Sequence, residues 1–466
     1  MSIPGSSLIP QSLRIPRCGN WLPEDTWILR TWLSNIVSFV DVHPKPLHPV
    51  IHELQCVIEE DAGLFMLFND MFEQIPLQKA YARDPFGASY VRDYKHMLRL
   101  FNEVLLRAPL FAESELIGLP MNAILDWPMS TSAGQAAFLS SKLNIQVKKV
   151  LDVWAAYLQS EASASVINES QTGWLGPPAL AAMRISTSSR RTPHWTFEST
   201  FVCNRSLPHF GFTSWDDFFT RRFQPGVRPI ASPLDHNVII NPCECAPYRI
   251  YRYVRRIDRF WVKSQPYSLE HMLARHPLVS RFVGGTLFQA FLDAVNYHRW
   301  HAPVAGIIRH VEIVPGTYFS QALGYGVPTE PQFNMENTNI QCENQAYVAA
   351  VATRCVIILE AENPAIGMVA VVFVGMADVS TCDAFVTGGQ KVKKGDELGT
   401  FRFGGSSVVM VLEQGVDLRW DLHGQEVVVK KRARLLAAEP PKKREIRGKL
   451  HQDEFRRGWR GEALGM

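Results

Sequence analysis

The sequence predicts an α+β chain, a helical N-terminal region followed by a β-rich, barrel- or sandwich-like region, on three observations. Apolar residues recur at helical spacing through Thr26–Val40, Val50–Met71, Tyr90–Leu106 and Ser132–Leu158. From about residue 230 they give way to short β-branched runs: Val238–Ile240, Gly306–Val314, Val356–Glu360 and Met368–Val374. Gly, Pro, Asn and Asp bound these runs, as expected of strands joined by turns. Between the two textures, Ser186–Pro193 is polar and aperiodic and reads as a linker or surface loop. The expected division is a helical domain over 1–190, a β-rich domain over 191–436, and a basic, disordered tail over 437–466.

Within the helical region, Asp84-Pro85 and Leu119-Pro120 supply breaks. A pair of segments in the β-rich region shares a plan. Ala302–Ile308 leads to Val314-Pro315-Gly316, and Val379–Val386 leads through Gly388-Gly389 to Lys394-Gly395-Asp396. Each reads as a strand, a glycine turn and another strand, a weak internal duplication suited to a β-sandwich or barrel. The tail carries Pro440-Pro441-Lys442-Lys443-Arg444 and then Arg456, Arg457 and Arg460, a solvated basic terminus.

Bulk properties narrow the function classes. In 466 residues, 46% are apolar and 20% charged, which excludes wholesale disorder. A net charge of +3, concentrated toward the C-terminal end, gives no basis for a nucleic-acid partner. No apolar run approaches the roughly 20 residues of a membrane-spanning helix. Met1–Leu13 lacks the pattern of a secretory signal, and the eight cysteines follow no disulfide framework, so a cytoplasmic protein is expected.

Three places concentrate reactive side chains. Tyr297-His298-Arg299-Trp300-His301-Ala302-Pro303 puts two histidines at the entrance to a strand, where side chains that titrate near neutrality suit proton transfer. Pro242-Cys243-Glu244-Cys245 offers a carboxylate between two thiols. Its Cys-x-Cys spacing is shorter than a zinc knuckle requires, so no metal is expected. Phe403-Gly404-Gly405-Ser406-Ser407 places a serine after two glycines, which can hold a turn in backbone angles closed to other residues. By spacing alone an ordinary Gly/Ser hairpin loop is the favoured reading. Ser406, His301 and Glu244 also make a candidate nucleophile–base–acid set. A hydrolase elbow, however, would carry Gly-x-Ser-x-Gly. Here Ser407 is followed by Val408-Val409-Met410-Val411-Leu412, an apolar strand better suited to backbone self-cleavage.

These residues resemble the phosphatidylserine decarboxylase family of pyruvoyl enzymes. The likeness runs from about Phe212 to Arg434 through ordered blocks: Ser214–Arg222, Arg228-Pro229-Ile230, Phe260–Lys263, Tyr267-Ser268-Leu269, Tyr297–Pro303, Val314-Pro315-Gly316, Lys391–Gly399 and Phe403–Ser407. The helical region, at His48–Leu54, Glu59–Ala62 and Phe68–Glu73, is similar to the fungal L-tryptophan decarboxylase branch of psilocybin-type specialised metabolism. Gly367–Met376, Ser380-Thr381-Cys382 and the Gly-Gly-Ser-Ser variant of the cleavage motif look like that branch too.

The resemblance implies a self-cleaving decarboxylase. Cleavage between Gly405 and Ser406 would convert Ser406 into a self-generated pyruvoyl group, the only cofactor implied. It assigns His301 as the base for processing, His298 to the decarboxylation step, and Glu244 as the supporting acid. The family has aspartate at this last position, and the longer glutamate shifts the carboxylate by about one carbon–carbon bond. Asp235 is the second-choice acid. Fragments 1–405 and 406–466 would stay associated. A small amino acid, aromatic and L-tryptophan-like, is the implied substrate. Phosphatidylserine, giving phosphatidylethanolamine, is the alternative, and a non-catalytic binding relative is a third reading.

Overall fold

The structure, a computed structural model, describes residues 27–75, 90–112, 118–187, 195–258, 267–292, 294–321, 340–375, 377–378, 381–403, 406–416, 418–420 and 434–438. Met1–Leu13, Asp84-Pro85, 188–193, Phe260–Lys263, Gly404, Gly405 and the chain beyond 438 therefore lie outside the described residues.

The helical region comprises α1 (Trp27–Val42), α2 (Pro49–Glu59), α3 (Ala62–Gln74), α4 (Tyr94–Val104), α5 (Pro120–Met129), α6 (Ser132–Phe138), α7 (Ser141–Leu158) and α8 (Pro177–Thr187). Capping chemistry divides it more finely than periodicity does. The continuous pattern Val50–Met71 is two helices, because the Asp61 carboxylate accepts the N–H groups of Gly63 and Leu64, both at 3.1 Å, and starts α3 afresh. Ser132–Leu158 divides likewise at Ser140, whose Oγ accepts from Leu143 N at 3.4 Å. Leu119-Pro120, marked by the sequence as a break, instead opens α5, with proline in the first turn where its missing N–H costs nothing. Ser186 and Thr187 close α8 and are buried, so the linker expected from Ser186 begins no earlier than residue 188.

Two short helices, α9 (Phe197–Thr200) and α10 (Trp215–Phe219), lead into the β-rich region. Its strands are β1 (Val238–Ile240), β2 (Ala246–Arg252), β3 (Thr286–Leu292), β4 (Arg299–His301), β5 (Gly306–Val314), β6 (Arg354–Ala361), β7 (Met368–Gly375), β8 (Thr381–Ala384), β9 (Lys391–Val392), β10 (Glu397–Arg402), β11 (Ser406–Leu412), β12 (Leu418–Trp420) and β13 (Arg434–Ala438). They form a seven-stranded sheet in the order β2-β3-β11-β7-β6-β5-β9 and three-stranded sheets β4-β10-β8 and β1-β13-β12. All pairings within the sheets are antiparallel.

Alternation along the strands decides what each face of the large sheet buries. Val408, Met410 and Leu412 join Val371, Phe373, Ile357 and Phe288 on one face, packed with Trp300, Cys382, Leu398 and Phe401 of the β4-β10-β8 sheet. Trp300 stacks on Phe373 with ring centroids 4.0 Å apart. That close approach needs a glycine: a Cβ at Gly399 would stand 2.6 Å from the Trp300 ring. Val409, Val411, Val372, Val374 and Ile358 point the other way, onto α11 (Leu269–Met272), α12 (Val279–Phe282) and α13 (Ile340–Val351). The β-rich region is thus a sandwich on one side and a helix-covered sheet on the other.

The segments read as duplicates play different roles. β5 is a long strand of the large sheet, whereas β8 and β9 are short and belong to different sheets. After β5, Pro315-Gly316 leads to a single bridge between Thr317 and Ala352, and the next described strand is β6 at Arg354. β5 is an interior strand while β8 and β9 each end a sheet, so sequence likeness did not carry a common environment.

Candidate active site

Ser406 is placed by a crossing of two sheets. β3 and β11 pair in the large sheet, with Ser406 opposite Leu292. β4 and β10 pair in the small sheet, with Arg299 opposite Thr400 and His301 opposite Glu397. One antiparallel ribbon therefore runs through both sheets and turns the corner once. On one strand the corner falls between Leu292 and Arg299, with His298 at its end; on the other it falls between Arg402 and Ser406. Phe403 sits at φ 60° there, in the left-handed region that is costly for a side chain bearing a Cβ. Its buried ring lies against Trp154, centroids 6.2 Å apart, which holds it in place.

Ser406 is fully buried, and its Oγ makes no hydrogen bond among the described residues. A buried hydroxyl without a partner forgoes about 1–3 kcal/mol of hydrogen-bonding free energy, which singles it out from ordinary strand serines. Ser407, facing the opposite way, shows the contrast. It donates to Ala290 O at 3.2 Å and accepts from Gln289 Nε2 at 3.0 Å. Gln289 in turn accepts from Tyr267 Oη at 2.6 Å.

The histidines are buried at the same corner. The carbonyl of His298 accepts from Phe401 N at 3.0 Å and Thr400 Oγ1 at 3.3 Å, and its ring stacks on Phe219 of α10 at 3.9 Å. His301 is tethered through its backbone N–H to Pro242 O at 2.6 Å. Its Nδ1 lies 2.9 Å from Gly395 O and its Nε2 lies 3.0 Å from Tyr297 Oη. A carbonyl only accepts, so the neutral ring carries its proton on Nδ1, and Nε2 is the basic nitrogen, accepting from the phenol.

Glu244 is buried and takes a hydrogen bond from Arg228 Nε. Arg228 also donates to Thr187 O at 2.8 Å, and its guanidinium lies over the Phe223 ring at 4.5 Å. Phe223 stacks on Tyr297 at 4.2 Å, so aromatic packing joins the Glu244–Arg228 pair to the phenol that contacts His301. Removing one member of such a buried pair costs about 3–5 kcal/mol, which ties Arg228 to whatever Glu244 does. Asp235 sits in an exposed turn, its carboxylate bonded to Asn237 N at 3.0 Å. Glu244, by contrast, is buried, two residues along the chain from the Pro242 carbonyl that tethers His301.

Cys243 and Cys245 are buried in the sandwich core, and burial pushes the Cys243 thiol well up from its usual range. Among the described residues no three His, Cys, Asp or Glu side chains gather as metal ligands do. Arg228, Tyr297 and Phe219, which contact Glu244, His301 and His298, were not singled out from the sequence, although all three lie inside the blocks that marked the site. Gln289, which bonds Ser407, carried no local signal at all.

Comparison with known proteins adds an independent finding. A family described as phosphatidylserine decarboxylase matches residues 215–437, and a second of the same description matches 48–183. L-tryptophan decarboxylase of Psilocybe cubensis is 35% identical over 78% of this chain and 80% of its own length. Decarboxylase iboD of Amanita muscaria is 42% identical over 63% of this chain and 83% of its own. A phosphatidylserine decarboxylase proenzyme of Chlamydia caviae is 33% identical over 44% of this chain and 62% of its own.

Proposed function

The chain belongs to the phosphatidylserine decarboxylase family and is a carboxy-lyase, and from that premise we propose that it cleaves itself at Gly405–Ser406 and uses the resulting pyruvoyl group to decarboxylate an aromatic L-amino acid of the tryptophan kind. The observation that carries the proposal is the buried, unbonded Ser406 Oγ at the sheet-crossing corner. A hydroxyl held there is available for attack on the carbonyl before it, and Ser406 is the residue that would carry the pyruvoyl group.

His301 Nε2 takes the Ser406 hydroxyl proton, after release from Tyr297, and Oγ adds to the Gly405 carbonyl carbon. The carbon–nitrogen bond breaks, nitrogen gains a proton, and the amide becomes an ester. Loss of the Ser406 α-proton and of the Gly405 carboxylate leaves dehydroalanine, whose hydration releases ammonia. Glu244, held by Arg228, is the supporting acid in this reading, joined to His301 through the Phe223 and Tyr297 rings. When present, the pyruvoyl group supplies a ketone that condenses with a primary amine and withdraws electrons as CO₂ departs. His298, its ring oriented by Phe219, holds the proton destined for the substrate α-carbon.

Strand pairing supports continued association of fragments 1–405 and 406–466. β11 opens the second fragment and is laddered on both sides, to β3 and to β7, along all seven residues. An amino-acid substrate is favoured over a phospholipid because the similarity to the Psilocybe tryptophan decarboxylase covers 78% of the chain, whereas that to the proenzyme covers 44%. Among the described residues no helix is long and apolar enough to cross a membrane. Incubation with L-tryptophan, L-tyrosine or phosphatidylserine vesicles, with identification of the amine released, tests the substrate. Tryptamine as the main product is expected; phosphatidylethanolamine formation with no free amine would overturn the amino-acid reading.

A further inference from the structure

Ser406 is registered between Leu292, the last residue of β3, and Gly375, the last residue of β7. The chain beyond each of these residues, and the chain just before Ser406, runs into the helical region. Beyond β3, Asn296 accepts from Ser186 Oγ of α8. Before β11, Phe403 packs on Trp154 of α7. Beyond β7, Ala377 N bonds Tyr318 O at 3.1 Å, and Tyr318 N bonds Asn144 Oδ1 of α7 at 3.2 Å.

The strongest of these links is a carboxylate. Asp378 is fully buried, and its two oxygens accept the N–H groups of Met121 and Asn122, each at 3.2 Å. These are the first donors of α5, because Pro120 has none, and Leu119 before it offers no side-chain cap. The cap arrives instead from a loop 256 residues away in sequence from Asn122. Burial pushes the Asp378 carboxyl up to about 7, while these two N–H groups pull it down. Burying so costly a group three residues past Gly375, where a local Ser or Asp at position 119 would have capped α5, calls for a purpose beyond capping.

We propose that Asp378 is a positioning residue for self-cleavage: by clamping the exit of β7 to the first turn of α5, it lets the helical region hold the Gly375–Ser406 register, and with it the scissile bond. The proposal rests on the reading of Ser406 given above. Small displacements of reacting atoms cost up to about a hundredfold in rate, so loosening this clamp should be felt at Ser406.

The test follows the conversion of newly made full-length chain into two fragments, with the melting temperature of each variant measured alongside. Asp378→Ala should slow cleavage about tenfold to a hundredfold in the folded fraction. Asp378→Asn keeps one carbonyl acceptor and should recover some of the lost rate. Ile36→Ala in α1, buried far along the sequence from these contacts, is the control for lost stability alone. If Ile36→Ala lowers the melting temperature as much as Asp378→Asn yet cleaves at the wild-type rate, the slowing belongs to the clamp. Wild-type cleavage kinetics in folded Asp378→Ala, or equal slowing in Ile36→Ala, would overturn the proposal. A wild-type chain that never cleaves would overturn the reading of Ser406 and this proposal with it.

Discussion

Ser406→Ala is expected to yield a folded, full-length chain with neither cleavage nor detectable decarboxylation. The fold should tolerate the change, because the substitution removes only an Oγ that makes no hydrogen bond among the described residues. The backbone pairing of Ser406 with Leu292 and Gly375 does not involve the side chain. Alanine also suits a fully buried position at the head of an apolar strand. The chemistry should not tolerate it, since the attacking oxygen of cleavage and the carbon skeleton of the pyruvoyl group come from the same residue. A denaturing gel with a parallel activity assay checks both halves. A chain that still splits would move the processing nucleophile elsewhere, and an uncleaved but active variant would remove the pyruvoyl group from the reaction.

His298→Ala is expected to separate the two steps. Cleavage should persist, because the base proposed for processing is His301, fixed by Gly395 O, Tyr297 Oη and the Pro242 tether, none of which is a His298 side-chain contact. The hydrogen bonds from Phe401 N and Thr400 Oγ1 go to the His298 carbonyl and survive truncation of its ring. Turnover should fall about 10²–10⁴-fold, the usual worth of a positioned proton donor. Gel and rate assay on the same preparation read both numbers. Loss of cleavage with loss of turnover would place His298 in maturation instead.

Legibility in the sequence followed the range of the interactions concerned. The strands Val238–Ile240 and Gly306–Val314 could be read to the residue, because alternation and turn residues are local signals. α5 was lost because Pro120 reads equally as a stop or a first helical residue. Helices α2 and α3 fused because an apolar stripe crosses the Asp61 cap without interruption.

The candidate site divides in the same way. His298, His301, Glu244 and Ser406 lie in compact motifs and could be named from residue type and order. What surrounds them comes from distant chain. Arg228 meets Glu244 across a loop, Phe219 reaches His298 from α10, and Asp378 reaches α5 from the end of β7. The left-handed Phe403 is equally invisible, since its conformation is held by a tryptophan on α7. A sequence displays its reactive atoms more readily than the packing that aims them.

Intact-mass spectrometry of the purified protein under denaturing conditions tests the central claim most directly. Two species are expected, residues 1–405 and residues 406–466, the smaller one lighter by the mass of one ammonia than the fragment with an N-terminal serine. A single full-length mass in an active preparation, or a 406–466 fragment that retains its serine, would contradict it.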